Sequence, residues 1–461
     1  MPAICRRAGQ GQDDPCSSVP YPIAGRGTNG AAVRLVVGPN RRREALMPHY
    51  RSVGRYPPKR HIHWCGPKGL PLVEELLGDD GFDGESSLLY HSYDPAGVQA
   101  IDPWEPPSTA TGSAAPHAAM HFPRPPAPED GTTADAVRHR VMLVGGGALR
   151  VWRAVAVASS PLYRNATADE CAYVESGTAR LHTSMGHLDV GPGDLVVVPA
   201  GVVHAWHPSP GKGPEAAPAA DPGRRTPPAA GDTAPPLRLT LFEAAGRIGP
   251  PARYLSPHGL LLEASPYCER DLRYPHAPEA VDEAATTVLT RHGRHGTAIT
   301  YRHHPFDVVG WTGTLYPYVL NIAHCEPATA RLHAPPPVHQ VFSMPGGDLI
   351  AFTPRLLEYH PLAVKVPYQH VNLGGDELLL FADGDFSSRT GSGVRKGSAA
   401  VFPPGIPHGP PPGLSEATRA HRETAEWTLL LDGHQVVPGP DLQGGHRHRL
   451  DPGEGEGDGR Q

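Results

Sequence analysis

The chain has 461 residues, 39% of them hydrophobic, and a formal net charge of −6. That length exceeds one ordinary compact domain, and the apolar fraction suffices for a real core, which excludes a wholly disordered protein. A mildly acidic chain without a long basic stripe argues against nucleic acid as a partner, and the most apolar run, DLVVVPAGVV (194–203), is about half of what spans a bilayer, so no membrane association is expected.

Proline (56) and glycine (53) are abundant enough to favour short strands joined by tight turns. The six cysteines (Cys5, Cys16, Cys65, Cys171, Cys268, Cys325) contain no CxxC pair and form neither a disulfide framework nor a zinc ribbon. The first residues lack the apolar stretch of a signal peptide, and a reducing cytoplasm is the expected address. With 27 histidines, a single imidazole carries no weight; spacing and context must decide.

Residues 1–46, rich in Gly, Pro and Arg, read as a flexible extension, and Met47 is a second candidate start. The basic clusters RRRE (41–44) and GHRHRL (445–450) read as solvated ends. HIHW has ligand-like spacing at His61 and His63 but no carboxylate partner, and is expected to be part of a packed N-terminal arm. EELLGDDGFDGESSLLYHSY (74–93) is expected to hold a short helix followed by turns. From about residue 138 short apolar runs punctuated by Gly and Pro predict a β-barrel or sandwich.

Residues 207–236 are nearly all Pro, Ala, Gly and charge, and read as a mobile insertion. Strand texture resumes at LRLTLFEAAG (237–246), and 283–435 repeats the architecture. VGPGDLVVVPAGVVHAW (190–206) and VRKGSAAVFPPGIPHGP (394–410) each run through glycine, an apolar strand, proline, a turn and histidine, a weak internal repeat. The fold class expected is all-β, with two jelly-roll barrel domains, 47–282 and 283–435, and a disordered polar tail, 436–461.

In VPYQHVNLGGDELLLFADGDF (366–386), His370 and Glu377 flank a turn at NLGGD, and His408 follows the strand SAAVF in a Pro-Gly turn. Strand alternation can aim the three at one point. Two imidazoles and a carboxylate on octahedral iron(II) leave three adjacent positions for a bidentate substrate and dioxygen, whereas zinc prefers four-coordination. The same residues could equally be a turn cap, a surface charge and a solvated loop histidine. The first half offers Asp169, Glu170 and His204 but no second imidazole beside the acidic pair, and reads as a scaffold barrel.

YPPKRHIHW, SSLLYH, DECAYVESG, GDLVVVPAG, HPFDVVGWTGTLYPYVLNI, HAPPPVHQVF, VPYQHVNLGGDE and PHGPPPG together resemble the homogentisate 1,2-dioxygenase family, most closely its actinobacterial-type members, in order from about 47 to 432. The resemblance implies a double-barrelled cupin with mononuclear iron(II), Fe(2+), at His370, Glu377 and His408. It implies opening of homogentisate with dioxygen to 4-maleylacetoacetate in tyrosine and phenylalanine catabolism, by subunits associated as a homotrimer or homohexamer. His333, in RLHAPPPVHQ, matches the family's base, with His339 the weaker candidate. It places His408, Phe386 and Phe402 against the substrate, but the family carries tyrosine where Phe386 stands and histidine where Phe402 stands. These departures leave open a related hydroquinone or gentisate-like aromatic as substrate, or, from another class, a non-catalytic cupin that binds a small aromatic.

Overall fold

The computed structural model describes residues 49–438, except 82–83, 111–117, 127–131, 210–234, 366–368, 385–393, 411–412 and 434–436. The expected extension 1–46, most of the 207–236 insertion and the tail beyond 438 therefore lie outside the described residues. The chain is nearly all β, as its turn-rich composition predicts. Among the described residues the one α-helix, Leu414–Ala417, is a single turn. Within the described residues, four antiparallel-dominated sheets of four, seven, eight and six strands make the fold.

Burial patterns follow from where each sheet sits. Asp169–Ser176, Asp194–Val198 and Leu237–Ala244 are buried at every position, because both faces of the eight-stranded sheet are covered. Ala179–Thr183 and Gly186–Val190 alternate between buried and partly exposed, as strands with one solvated face do. The six-stranded sheet runs Gln340–Met344, Gly347–Phe352, Trp427–Gly433, Asp376–Asp383, Ala399–Phe402, Met120–Phe122. Its side-chain period of two separates its faces. Leu349, Leu378, Leu380, Val401 and Leu431 join the main core with Trp152 and Phe242 of the first half. Leu379, Phe381, Ala400, Phe402 and Leu430 form a separate cluster on the other face, the one that carries Glu377.

Several expectations change. The described residues of 74–93 hold no helix: Val73–Gly78 and Ser86–His91 pair antiparallel, with Leu76 opposite Leu88. The six residues VEELLG, closed by a glycine- and aspartate-rich turn, are too few to nucleate a helix, and a ladder satisfies their backbone instead. His61 and His63 are exposed, with His61 bound to Glu74 at 2.7 Å, so HIHW is surface and not packed arm. Sheets also cross the boundary drawn at residue 283. Ala284–His292 pairs with Tyr163–Asn165, and Tyr318–Asn321 pairs with Asp194–Val198, while Met120–Phe122 joins the six-stranded sheet. Val437–Pro438, placed in the polar tail, pairs with Val144–Gly145. Cys65 is disulfide-bonded, whereas Cys171, Cys268 and Cys325 are free thiols.

The four-stranded sheet is pinned by a buried charge cluster. His91 places Nδ1 2.6 Å from Asp307 and Nε2 2.9 Å from Glu75. Burial disfavours its imidazolium, but the hydrogen bonds to the two carboxylates outweigh that and raise its pKa to about 9. A raised histidine pKa contributes stability that is full below the unfolded value of about 6.5 and is lost as pH rises through the folded one. The contribution is on the order of 3 kcal/mol. Thermal melts from about pH 6 to about pH 10 are expected to show this alkaline loss, and His91→Gln to flatten it; an unchanged slope in the variant would assign the loss to another group.

Candidate metal centre

The site is built on one strand end and one bridge. Glu377 is the second residue of Asp376–Asp383 and lies opposite Phe402, the last residue of Ala399–Phe402. After Phe402 the chain reverses through Pro403-Pro404-Gly405, where Gly405 takes φ of 80°, a conformation costly for any residue with a Cβ. The reversal returns His408 alongside His370, and the two exchange both backbone hydrogen bonds, each 2.9 Å. Residues paired in this way present side chains on the same face. The two imidazole rings lie 4.3 Å apart between centroids.

Both rings then meet one carboxylate. Glu377 Oε2 is 3.1 Å from His370 Nε2 and 3.3 Å from His408 Nε2, and it accepts from Asn372 Nδ2 at 3.2 Å. One ligand atom from each of His370, Glu377 and His408 lies within 4.8 Å of the others. Glu377 and His408 are buried, while the His370 side chain is 36% exposed and marks the open side. Burial works to raise the Glu377 pKa, but hydrogen bonds from His370 and His408 outweigh it and hold it at about 2, so it stays ionised.

The donors fit a first-row divalent ion. His408 Nδ1 lies 2.9 Å from the Ile406 carbonyl, and donation there frees Nε2, once it gives up its proton, to serve as a ligand facing the centre. Two imidazole nitrogens and one carboxylate oxygen, with one side open, are the donor set of mononuclear non-haem iron. Phe402 stacks on His408 at 4.5 Å and 12° between planes, and fixes the ring's tilt.

His333 belongs to a separate group outside the three-residue cluster. It lies half-buried ahead of the turn Pro336–His339, with Nδ1 3.3 Å from Glu358 Oε1, which also accepts from Arg355 at 3.2 Å. His339 is buried against Phe352, and burial, followed by the nearby charge of Arg355, lowers its pKa to about 4, so it is neutral. Phe352 packs on the apolar cluster that contains Phe402, which links this group to the centre. Phe386 lies outside the described residues. Asn372 and Glu358 were not picked out from the sequence; Asn372 could have been, because it precedes the turn that delivers Glu377.

Residues 153–214 match the cupin domain family. A Saccharolobus solfataricus protein provisionally named a dioxygenase is 30% identical over 82% of this chain and 91% of its own length. The homogentisate 1,2-dioxygenase of Emericella nidulans is 22% identical over 54% of this chain and 51% of its own length. Among solved structures, a point mutant of salicylate 1,2-dioxygenase from Pseudoaminobacter salicylatoxidans has a TM-score of 0.30 and 12% identity, over 66% of this chain and 77% of that one.

Replacing His370, Glu377 or His408 by alanine removes a ligand for which the cluster has no substitute among the described residues. Each variant, loaded anaerobically with iron(II) and desalted, is expected to retain under about a tenth of the wild-type metal, since two protein donors hold such an ion weakly. Full occupancy in any one of them removes that residue from the ligand set.

Proposed function

The chain belongs to the cupin dioxygenase family, and from that premise we propose that it is an iron(II)-dependent ring-cleaving dioxygenase that converts homogentisate and dioxygen to 4-maleylacetoacetate in tyrosine and phenylalanine catabolism. The observation that carries this reading is the meeting of two imidazoles on a single ionised carboxylate oxygen, with one side of the cluster open. His370, Glu377 and His408 would hold the metal. Iron(II) bound there supplies open coordination positions and one-electron exchange to an aromatic and dioxygen. A cytoplasmic homotrimer or homohexamer accompanies this proposal.

The chain's own residues set the protons and the orientation. Asn372 fastens the Glu377 carboxylate so that its Oε2 faces both histidines. His333 is the base: its Nε2 takes the proton from a substrate hydroxyl, while Glu358 at Nδ1 fixes the tautomer and stabilises the imidazolium that results. Glu358 can do so because its side chain is 1% exposed and held by Arg355. His339, kept neutral by burial, adds bulk without competing charge.

A second reading rests on Phe402. It is buried and stacked on His408, and it offers no hydrogen bond to a polar substrate arm. A pocket walled this way suits a less polar hydroquinone or gentisate-like aromatic, because losing a hydrogen-bond group costs about 1–3 kcal/mol of recognition.

Oxygen uptake by the iron-loaded protein across homogentisate, gentisate and substituted hydroquinones separates the two readings, with a ring-opened product as the mark of turnover. His333→Gln is expected to lower kcat by about 10²–10⁴-fold with metal content unchanged; an unaltered kcat removes His333 from proton transfer. Phe386→Tyr with Phe402→His is expected to raise kcat/KM for homogentisate about tenfold, roughly 1.4 kcal/mol. No gain in a fully loaded double variant favours the less polar substrate.

A further inference from the structure

The first half holds a residue-by-residue counterpart of the metal centre. Glu170 lies opposite Val198, the last residue of its strand, as Glu377 lies opposite Phe402. The chain then turns through Pro199 and Gly201 to His204, as it turns through Pro403 and Gly405 to His408. His204 pairs with Tyr163, as His408 pairs with His370. Tyr163 and His370 each precede their glutamate by 7 residues and bond to it, at 2.8 and 3.1 Å. Asn165 and Asn372 each precede it by 5, and both donate to it at 3.2 Å. His204 Nδ1 lies 3.1 Å from the Val202 carbonyl, as His408 Nδ1 lies against Ile406.

Two differences stand out in this match. Tyrosine replaces the imidazole of His370, and a cation is already present. Arg140 Nη1 lies 3.0 Å from Glu170 Oε1, both side chains almost wholly buried, and the guanidinium sits 5.0 Å over the Tyr163 ring. In the second half no arginine or lysine bonds Glu377 among the described residues; its partners are His370, His408 and Asn372. A fixed guanidinium and a divalent ion repel each other and compete for the same carboxylate oxygen, so a pocket holding the first rejects the second.

We propose that Tyr163, Glu170 and His204 are a second copy of the metal centre in which Arg140 stands in for the metal ion, and that the copy binds a first-row divalent metal once Arg140 is made neutral and Tyr163 is made histidine. The substitution explains how the two halves share one backbone design while only the second presents an open donor set. It also gives the first half a cation that needs no loading, so its strand ends are tied without metal.

The test is made in the full chain carrying Glu377→Ala, so that metal held in the second half does not contribute. Cobalt(II) is titrated into Glu377→Ala and into Glu377→Ala/Arg140→Met/Tyr163→His, with bound metal measured after desalting. The single variant is expected to bind none and the triple variant about one ion per chain, with visible absorption of a nitrogen- and oxygen-ligated cobalt. Adding Glu170→Gln is expected to abolish that gain. A folded triple variant that binds no more than the single variant overturns the proposal. If the triple variant is insoluble, growth with cobalt(II) is expected to restore soluble protein, and failure to do so contradicts the proposal equally. Because the gain is read at Glu170 without Glu377, the result stands or falls separately from the iron-dependent function proposed for the second half.

Discussion

Two backbone hydrogen bonds, between His370 and His408, are the constraint on which the candidate centre depends. They hold two residues far apart in sequence to one register, and that register puts both imidazoles on the same face of the chain. Glu377 is then brought beneath them by its own ladder with Phe402. Slipping the bridge by one residue would turn one ring away, because side chains alternate along an extended chain. The positive φ at Gly405 and the two prolines before it are what allow the return of the chain at that register. Site geometry is thus inherited from backbone pairing and not from side-chain packing, and stacked Phe402 only trims the ring tilt.

The same device serves two different ends in the two halves. Around Glu170 it closes on a buried Arg140, and the neighbouring Arg291–Glu243 pair, 2.8 Å apart, fills the first barrel with matched charge. Breaking such a pair leaves a lone buried ion, which is costly, so the arrangement is rigid. Around Glu377 no arginine or lysine bonds the carboxylate among the described residues, its partners being His370, His408 and Asn372, and His370 is partly exposed. One barrel is closed and self-neutralised. The other is open and presents donors, and the shared apolar core from Trp152 to Leu431 keeps the two in fixed relation.

Much of this could be read from the sequence, and the rest was hidden for physical reasons. The strand–Pro–turn–His repeat and the His370, Glu377 and His408 spacing are local features, and local features survive folding. Sheet partners are not local. Nothing in the texture of 284–321 says that its strands join Tyr163–Asn165 and Asp194–Val198, because pairing depends on faces supplied elsewhere in the chain. VEELLG shows helix-compatible residues, and only its partner SSLLYH makes it a strand. Arg140 is 30 residues from Glu170, and Tyr163 breaks the match to the imidazole of His370, so the counterpart centre is visible only through register.

The cupin dioxygenase reading and the metal-centre geometry converge on one claim: a single ion held by His370, Glu377 and His408. Anomalous X-ray diffraction at the iron edge, on crystals of the wild-type chain loaded anaerobically with iron(II), tests it most directly. The account predicts one strong peak per chain within coordination distance of His370 Nε2, His408 Nε2 and a Glu377 carboxylate oxygen, and none beside Glu170. A peak elsewhere, or none beside these three residues in a fully loaded crystal, would contradict it.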